Sequence, residues 1–153
     1  MQRTVVILKP DCLQRGLVGE ITRRFEHKGL KLVGLKMMQA TDEILDVHYA
    51  HHKDKLFFAS LKKFMRSSPI VCMLWEGVDA VEVVRKMAGA TNGRMAEFGT
   101  IRGDYSISTS ANLIHASDSG ETAKKEEERF FDSGEIFDWK MVISGYLYGE
   151  DEK

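Results

Sequence analysis

The sequence predicts an α/β sandwich, and three observations carry that reading. Two continuous apolar runs, Thr4 to Leu8 (TVVIL) and Ile70 to Trp75 (IVCMLW), have the composition of strands covered on both faces. Segments with apolar residues at helical spacing alternate with them, which is the order of a layered α/β domain. The 153 residues, 43% hydrophobic, suffice for one domain, residues 1–153, to bury its core without staples.

Each element follows from local chemistry. Lys9-Pro10-Asp11 closes the first run, so Lys9 lies at a strand end. Val18, Ile21 and Phe25 then mark an amphipathic helix that Gly29 stops in a left-handed conformation. Lys31 to Met38 is a second strand of more mixed polarity, and Thr41-Asp42 caps another helix. Phe57, Leu61, Phe64 and Met65 form a helical stripe before Pro69, with a core helix as its default reading. Val78, Val81, Val84 and Met87 make a helix after the second apolar run.

Regularity then lapses. From Gly89 to Ser110 there are four glycines, few aliphatic residues and no sustained period, and a loop of that length in a compact domain is functional or disordered. Asn112 to Ala116 (NLIHA) reads as a short strand, and Ser119 opens a Lys- and Glu-rich helix through Phe131. No repeat, low-complexity tract or linker marks a boundary within the chain.

Charge narrows the function classes. Lys+Arg 22 against Asp+Glu 23 leaves a net charge of -1, so nothing pulls the whole molecule towards nucleic acid or an anionic membrane. Any anion-binding surface must be local. Cys12 and Cys72 belong to no CxxC pair and read as two small buried thiols of a reduced, cytoplasmic protein. The apolar stretch that ends at Lys9 is too short for a signal or membrane segment, so no membrane partner is expected.

Nucleotide templates fail. Gly29 to Lys36 (GLKLVGLK) mimics a phosphate loop only loosely, reads as strand, and there is no GxGxxG. Among the five histidines, His48 and His52 have the i, i+4 spacing that could hold a metal on a helix, but no third ligand is near in sequence. His27 reads as a solvated residue near a helix end.

His115 has a different context, since it falls at the end of a short apolar strand and Ala116-Ser117-Asp118-Ser119 leads from it into a helix. A helix N-terminus favours an anion beside it, and an imidazole with an ordinary pKa of about 6.5 can serve as nucleophile or base at neutral pH. Arg85, Thr91 and Arg102 surround the irregular Gly-rich segment, and Arg forks match phosphate geometry. The combination points to phosphoryl transfer to a nitrogen nucleophile.

The run Asn112-Leu113-Ile114-His115-Ala116-Ser117-Asp118-Ser119 resembles the active-site signature of nucleoside diphosphate kinases. Lys9-Pro10-Asp11, His48-Tyr49 with Phe57-Phe58, and Gly99-Thr100-Ile101-Arg102-Gly103-Asp104 match in the same order, and the likeness runs from about Arg3 to Tyr148. It implies a ferredoxin-like βαββαβ sandwich with an antiparallel four-stranded sheet, assembled into a homo-oligomer, a hexamer or a tetramer. It also implies a ping-pong kinase in which His115 takes the γ-phosphate of a nucleoside triphosphate and passes it to a nucleoside diphosphate.

The resemblance assigns further roles. Glu126 matches the glutamate that orients the imidazole; periodicity alone does not separate it from Glu127. Ser117 matches the neighbouring serine, and Tyr49 a tyrosine near the nucleophile, although a core aromatic is its other reading. Phe57 matches the aromatic that stacks on the base, which tolerates any base because each has a π-face. Lys9 and Asn112 match contacts to the sugar and the reacting end, and Arg85, Thr91 and Arg102 match the phosphate clamp. Mg²⁺ is expected to arrive on the nucleotide phosphates, touched by Asp118 only through water. Three departures bear on assembly: Ala116 for the usual Gly, Gly93 for the common Pro after Thr91-Asn92, and the unusual run Arg94 to Phe98.

The alternative is a non-catalytic nucleotide- or RNA-binding module on the same sandwich. An RNA-recognition sheet would carry a [KR]-G-[FY]-[GA]-F-V-like strand and net basic charge, and the sequence has neither, so no dedicated nucleic-acid site is expected.

Overall fold

A computed structural model describes residues 1–152 of the chain. The first strand, β1 (Gln2–Leu8), leads into α1 (Pro10–Gln14), where Pro10 occupies a first-turn position whose N–H would have no helical partner anyway. Next come α2 (Val18–His27), closed by Gly29 at φ +94°, and β2 (Lys31–Met38). Then α3 (Asp42–His48), whose Ile44 N–H donates to the Thr41 side chain, precedes α4 (Phe58–Met65). The remaining elements are β3 (Ile70–Gly77), α5 (Ala80–Ala88), α6 (Ile101–Tyr105), β4 (Ile114–Ala116), α7 (Gly120–Phe130) and α8 (Ser144–Leu147).

The strands form one antiparallel sheet in the order β2-β3-β1-β4, with Val6 opposite Met73 and Ile7 opposite His115. Where a plain βαββαβ chain has a hairpin, α3 and α4 stand between β2 and β3. The two apolar runs are the two central strands, and their continuous hydrophobicity has a direct cause, because the sheet is buried on both faces. Val6, Leu8, Val71, Met73 and Trp75 pack on one side with Ile21 and Phe25 of α2 and Val84 of α5. Alternate residues Val5, Ile7, Cys72 and Leu74 face the other side, with Leu45 of α3, Met65 of α4 and Phe130 of α7. Ile21 and Phe25 are wholly buried, each contributing roughly 1.5–3 kcal/mol to holding α2 on the sheet.

Two local features differ from the sequence expectation. The irregular stretch contains α6, which has only one fully buried apolar residue, Ile101, and is started by the Thr100 side chain accepting the Gly103 N–H. A helix held by its cap and one anchor leaves no periodic signature. The stripe on α4 is also less buried than a core helix requires: Met65 is inaccessible, but Phe57 is half exposed.

The approach to β4 is bent. Leu113 adopts φ +72°, a left-handed conformation that β-carbons disfavour. It is held there by its N–H donating to Asp11 Oδ2 at 3.0 Å and by its carbonyl accepting the Lys9 N–H at 2.8 Å. That bend delivers His115 onto the sheet face covered by α3 and α7.

Candidate active site

His115 is 21% exposed at its side chain, whereas its partner Glu126 on α7 is 3% exposed. The imidazole Nε2 lies 2.7 Å from Glu126 Oε1. The second carboxylate oxygen accepts the Ser117 hydroxyl at 2.6 Å, and Ser117 Oγ in turn accepts the Val5 N–H at 3.1 Å. A carboxylate only accepts here, so the ring proton belongs on Nε2 and the lone pair on Nδ1. The chain from the backbone of β1 through Ser117 and Glu126 to His115 therefore orients the histidine and accepts its Nε2 proton.

Around this core stand residues of α3. His48 is buried, with its ring edge-on to that of His115 at 4.5 Å, and its Nδ1 accepts from Arg129 Nη1 at 3.1 Å. Tyr49 packs against His48 at 4.5 Å, and its buried hydroxyl has no partner among the described residues. Burial, then the Glu126 charge, pushes the Tyr49 phenol well above its ordinary value, so it is a neutral donor awaiting an acceptor.

The sequence offered His48 and His52 as a metal pair on one helix, and the structure separates them. His48 ends α3 and turns inward, while His52 lies in the following 3₁₀ turn with its ring edge-on to Phe57 at 5.2 Å. No direct contact joins Phe57 to His115, but rings at 4.5 to 6.2 Å connect them in the order His115, His48, Tyr49, His52, Phe57. Phe57 stands at the outer rim, half exposed.

Beside His115 lies a group of cations. Lys9 is 8% exposed, and its Nζ donates to Asn112 Oδ1 at 2.6 Å. Asn112 holds the loops together by donating to the Thr91 and Thr109 carbonyls, both at 2.9 Å. Arg102 spends its donors on backbone carbonyls, those of Asn112 at 3.2 Å and of Gly89 and Ile114 at 2.8 Å. Neither Lys9 nor Arg102 has a carboxylate at ion-pair distance among the described residues. Burial, reinforced by the Arg102 charge, pulls Lys9 down to about 8, and burial with the Arg85 charge pulls Arg102 down to about 10. Holding a buried Lys9, on which the Asp11 carboxylate acts only from beyond ion-pair distance, and a partly buried Arg102 so close together is costly, and a bound polyanion offsets that cost.

Arg85 is exposed and lines an open cleft of about 940 Å³ together with Gly89, Thr100 and Asp118. Asp118 is held below the usual carboxylate range by hydrogen bonds from Thr122 and Ser119, with Arg85 adding to the effect. Thr91 is exposed, its carbonyl committed to Asn112. Gly93, which stands where the resemblance leads one to expect Pro, donates its N–H to the Ser108 carbonyl at 3.1 Å, a bond a proline could not make.

The predicted site residues thus fall into three neighbouring groups: His115 with Glu126, Ser117 and Tyr49; Lys9 with Asn112, Thr91 and Arg102; and Arg85 with Asp118. Phe57 stands apart at the rim. Sequence reasoning missed Arg129, Leu113 and the inward turn of His48. Arg129 lies three residues after Glu126 and so shares its helix face, which was the one available signal.

Comparison with known proteins bears on the family and the fold. The family model described as nucleoside diphosphate kinase matches residues 2–136. A nucleoside diphosphate kinase of Parabacteroides distasonis is 57% identical over 152 residues, covering 99% of each chain. One from Rhodopirellula baltica is 48% identical over 152 residues, covering 99% of this chain and 100% of its own. Among solved structures, a halophilic nucleoside diphosphate kinase from Halobacterium salinarum in complex with CDP superposes with a TM-score of 0.95 at 46% identity, covering 97% of this chain and 99% of its own.

Proposed function

Since the chain belongs to the nucleoside diphosphate kinase family and is an enzyme of that activity, moving the γ-phosphoryl group of a nucleoside triphosphate to a nucleoside diphosphate, we propose that it works through a phosphohistidine on His115. The observation that carries this is the chain Ser117–Glu126–His115 set beside the unpaired cations Lys9 and Arg102.

In the first half-reaction the Nδ1 lone pair attacks the γ-phosphorus, the bond to the β,γ-bridging oxygen breaks, and the nucleoside diphosphate leaves with that electron pair. The ring becomes cationic, and Glu126 stabilises it through the shared Nε2 proton. In the second half-reaction a terminal oxygen of the acceptor diphosphate attacks the same phosphorus and Nδ1 recovers its pair. Lys9, Arg102 and Arg85 neutralise the transferring oxygens, and positioning plus charge stabilisation is most of what such a step requires. Asn112 and Thr91 hold the loops around the reacting end, and the Tyr49 hydroxyl supplies a donor near it. Phe57 stacks on the base, which its half-exposed position at the rim supports. The CDP bound by the Halobacterium relative supports a pyrimidine diphosphate as one acceptor.

Mg²⁺ fits this site as a companion of the nucleotide: Asp118, an exposed carboxylate beside Arg85, would hold it through water, and the ion supplies charge neutralisation on the phosphate oxygens. We read the chain as one domain acting in a homo-oligomer, a hexamer or tetramer. Exposed Leu35 and Met37 on edge strand β2, and Met95 and Phe98 in the loop before α6, support that assembly. A cytoplasmic location is supported by the free thiols of Cys12 and Cys72. No described helix is long and apolar enough to cross a membrane.

The test is brief incubation with γ-labelled ATP and Mg²⁺, followed by acid treatment of one portion and a chase of the other with unlabelled GDP. An acid-labile label that passes to GDP is expected, and its absence, or its persistence in His115→Ala, overturns the reading.

A further inference from the structure

The contact between Arg129 and His48 has no part in the scheme above. Arg129 projects from α7 one turn after Glu126, and its Nη1 reaches Nδ1 of His48 at 3.1 Å. A guanidinium can only donate, so His48 Nδ1 must present a lone pair and the ring proton must sit on Nε2. The same Nδ1 lies 3.5 Å from Glu126 Oε1, the oxygen that accepts the His115 Nε2 proton at 2.7 Å. Two lone-pair atoms face each other across that gap and cannot share a proton.

Left to itself, His48 would adopt the other tautomer. Its Nε2–H is buried and has no acceptor among the described residues, while a proton on Nδ1 would find Glu126 at once. The ring cannot escape the choice, because it is 1% exposed and wedged edge-on against His115 at 4.5 Å and Phe130 at 5.1 Å. Burial and the charges of His115 and Arg129 hold it neutral, with its pKa pulled down to about 2.

We propose that Arg129 is a tautomer lock for the nucleophile: by occupying His48 Nδ1 it keeps His48 from donating to Glu126 and reserves that carboxylate oxygen for His115. His115 then keeps its proton on Nε2 and its Nδ1 lone pair on the phosphate side. Arg129 and His48 are positioning residues, acting through Glu126. The inference rests on His115 as the phosphoryl carrier, and it gives that carrier a control outside its immediate partners.

The test uses Arg129→Met, whose side chain has no N–H to donate, Arg129→Lys, which can only donate, and the double variant Arg129→Met/His48→Phe. Imidazole ¹⁵N shifts in the unphosphorylated protein read both tautomers without turnover. The wild type and Arg129→Lys are expected to show unprotonated Nδ1 at His48 and His115. In Arg129→Met the His48 proton moves to Nδ1, His115 becomes a mixture, and kcat falls on the order of tenfold with KM nearly unchanged. The double variant, which keeps an aromatic ring but no competing proton, recovers most of that loss. The proposal is overturned by wild-type tautomers in Arg129→Met, by failure of Lys to restore them, or by no recovery in the double variant. The shifts are independent of phosphorylation, so a negative labelling result with His115 would be distinguishable from a failure of the lock.

Discussion

Replacing Glu126 by Gln removes a charge while keeping the shape, and an amide can turn a donor towards His115 Nε2. The expected result is a fall in the rate of phosphoenzyme formation on the order of 10²-fold, read by quenched flow, with nucleotide affinity little changed. Lys9 makes a separate prediction. In the free protein its ammonium loses a proton near pH 8, whereas a bound phosphate stabilises the charged form and raises that value. Nucleoside diphosphate binding above pH 8 should therefore take up a proton, a fraction that grows between pH 8 and 9 and vanishes below pH 7. Calorimetry in buffers of different ionisation enthalpy measures it, and uptake independent of pH would contradict the assignment. Of these residues, His115 and Lys9 were legible from their places at strand ends, but Glu126 was not separable from Glu127 until burial distinguished them: Glu126 is 2% exposed, and Glu127 instead pairs with Arg3 at 3.3 Å.

Among the elements, α7 matters most because it carries both Glu126 and Arg129. Its start is set by Ser119, whose Oγ accepts the Thr122 N–H at 3.1 Å. Ser119→Ala is expected to cost about 1 kcal/mol, seen as a lower urea midpoint with an unchanged m-value. Strands β1 and β3 and helices α2, α5 and α7 could be read from the sequence because burial on a repeating face leaves a period. The five-residue α6 could not, since its geometry comes from the Thr100 cap; β4 was legible as a strand over 112–116, but not the left-handed turn at Leu113, held by Asp11 and Lys9, that leads into it. These short elements bear Arg102 and His115, so the chemistry sits where periodicity is weakest.

For the whole molecule, a balanced net charge conceals a local excess. Among the described residues Lys9 and Arg102 have no carboxylate at ion-pair distance, while acidic residues gather elsewhere, as in the Glu150–Glu152 turn. Leu35 and Met37 lie two residues apart on one face of β2, an edge strand, and both are exposed. Replacing both by Lys should disrupt a subunit contact through that edge, lowering the mass measured by light scattering; an unchanged mass would move the contact elsewhere. The place of such a contact was not legible in the sequence, because it depends on which strand ends up at the edge. The insertion of α3 and α4 between β2 and β3 has its own consequence. Phe57 belongs to that arm, whereas the cations Lys9, Arg85 and Arg102 belong to the end of β1 and to helices α5 and α6. Base preference could therefore drift over generations, or be exchanged by grafting another arm, while the nucleophile and its anion cradle are inherited intact.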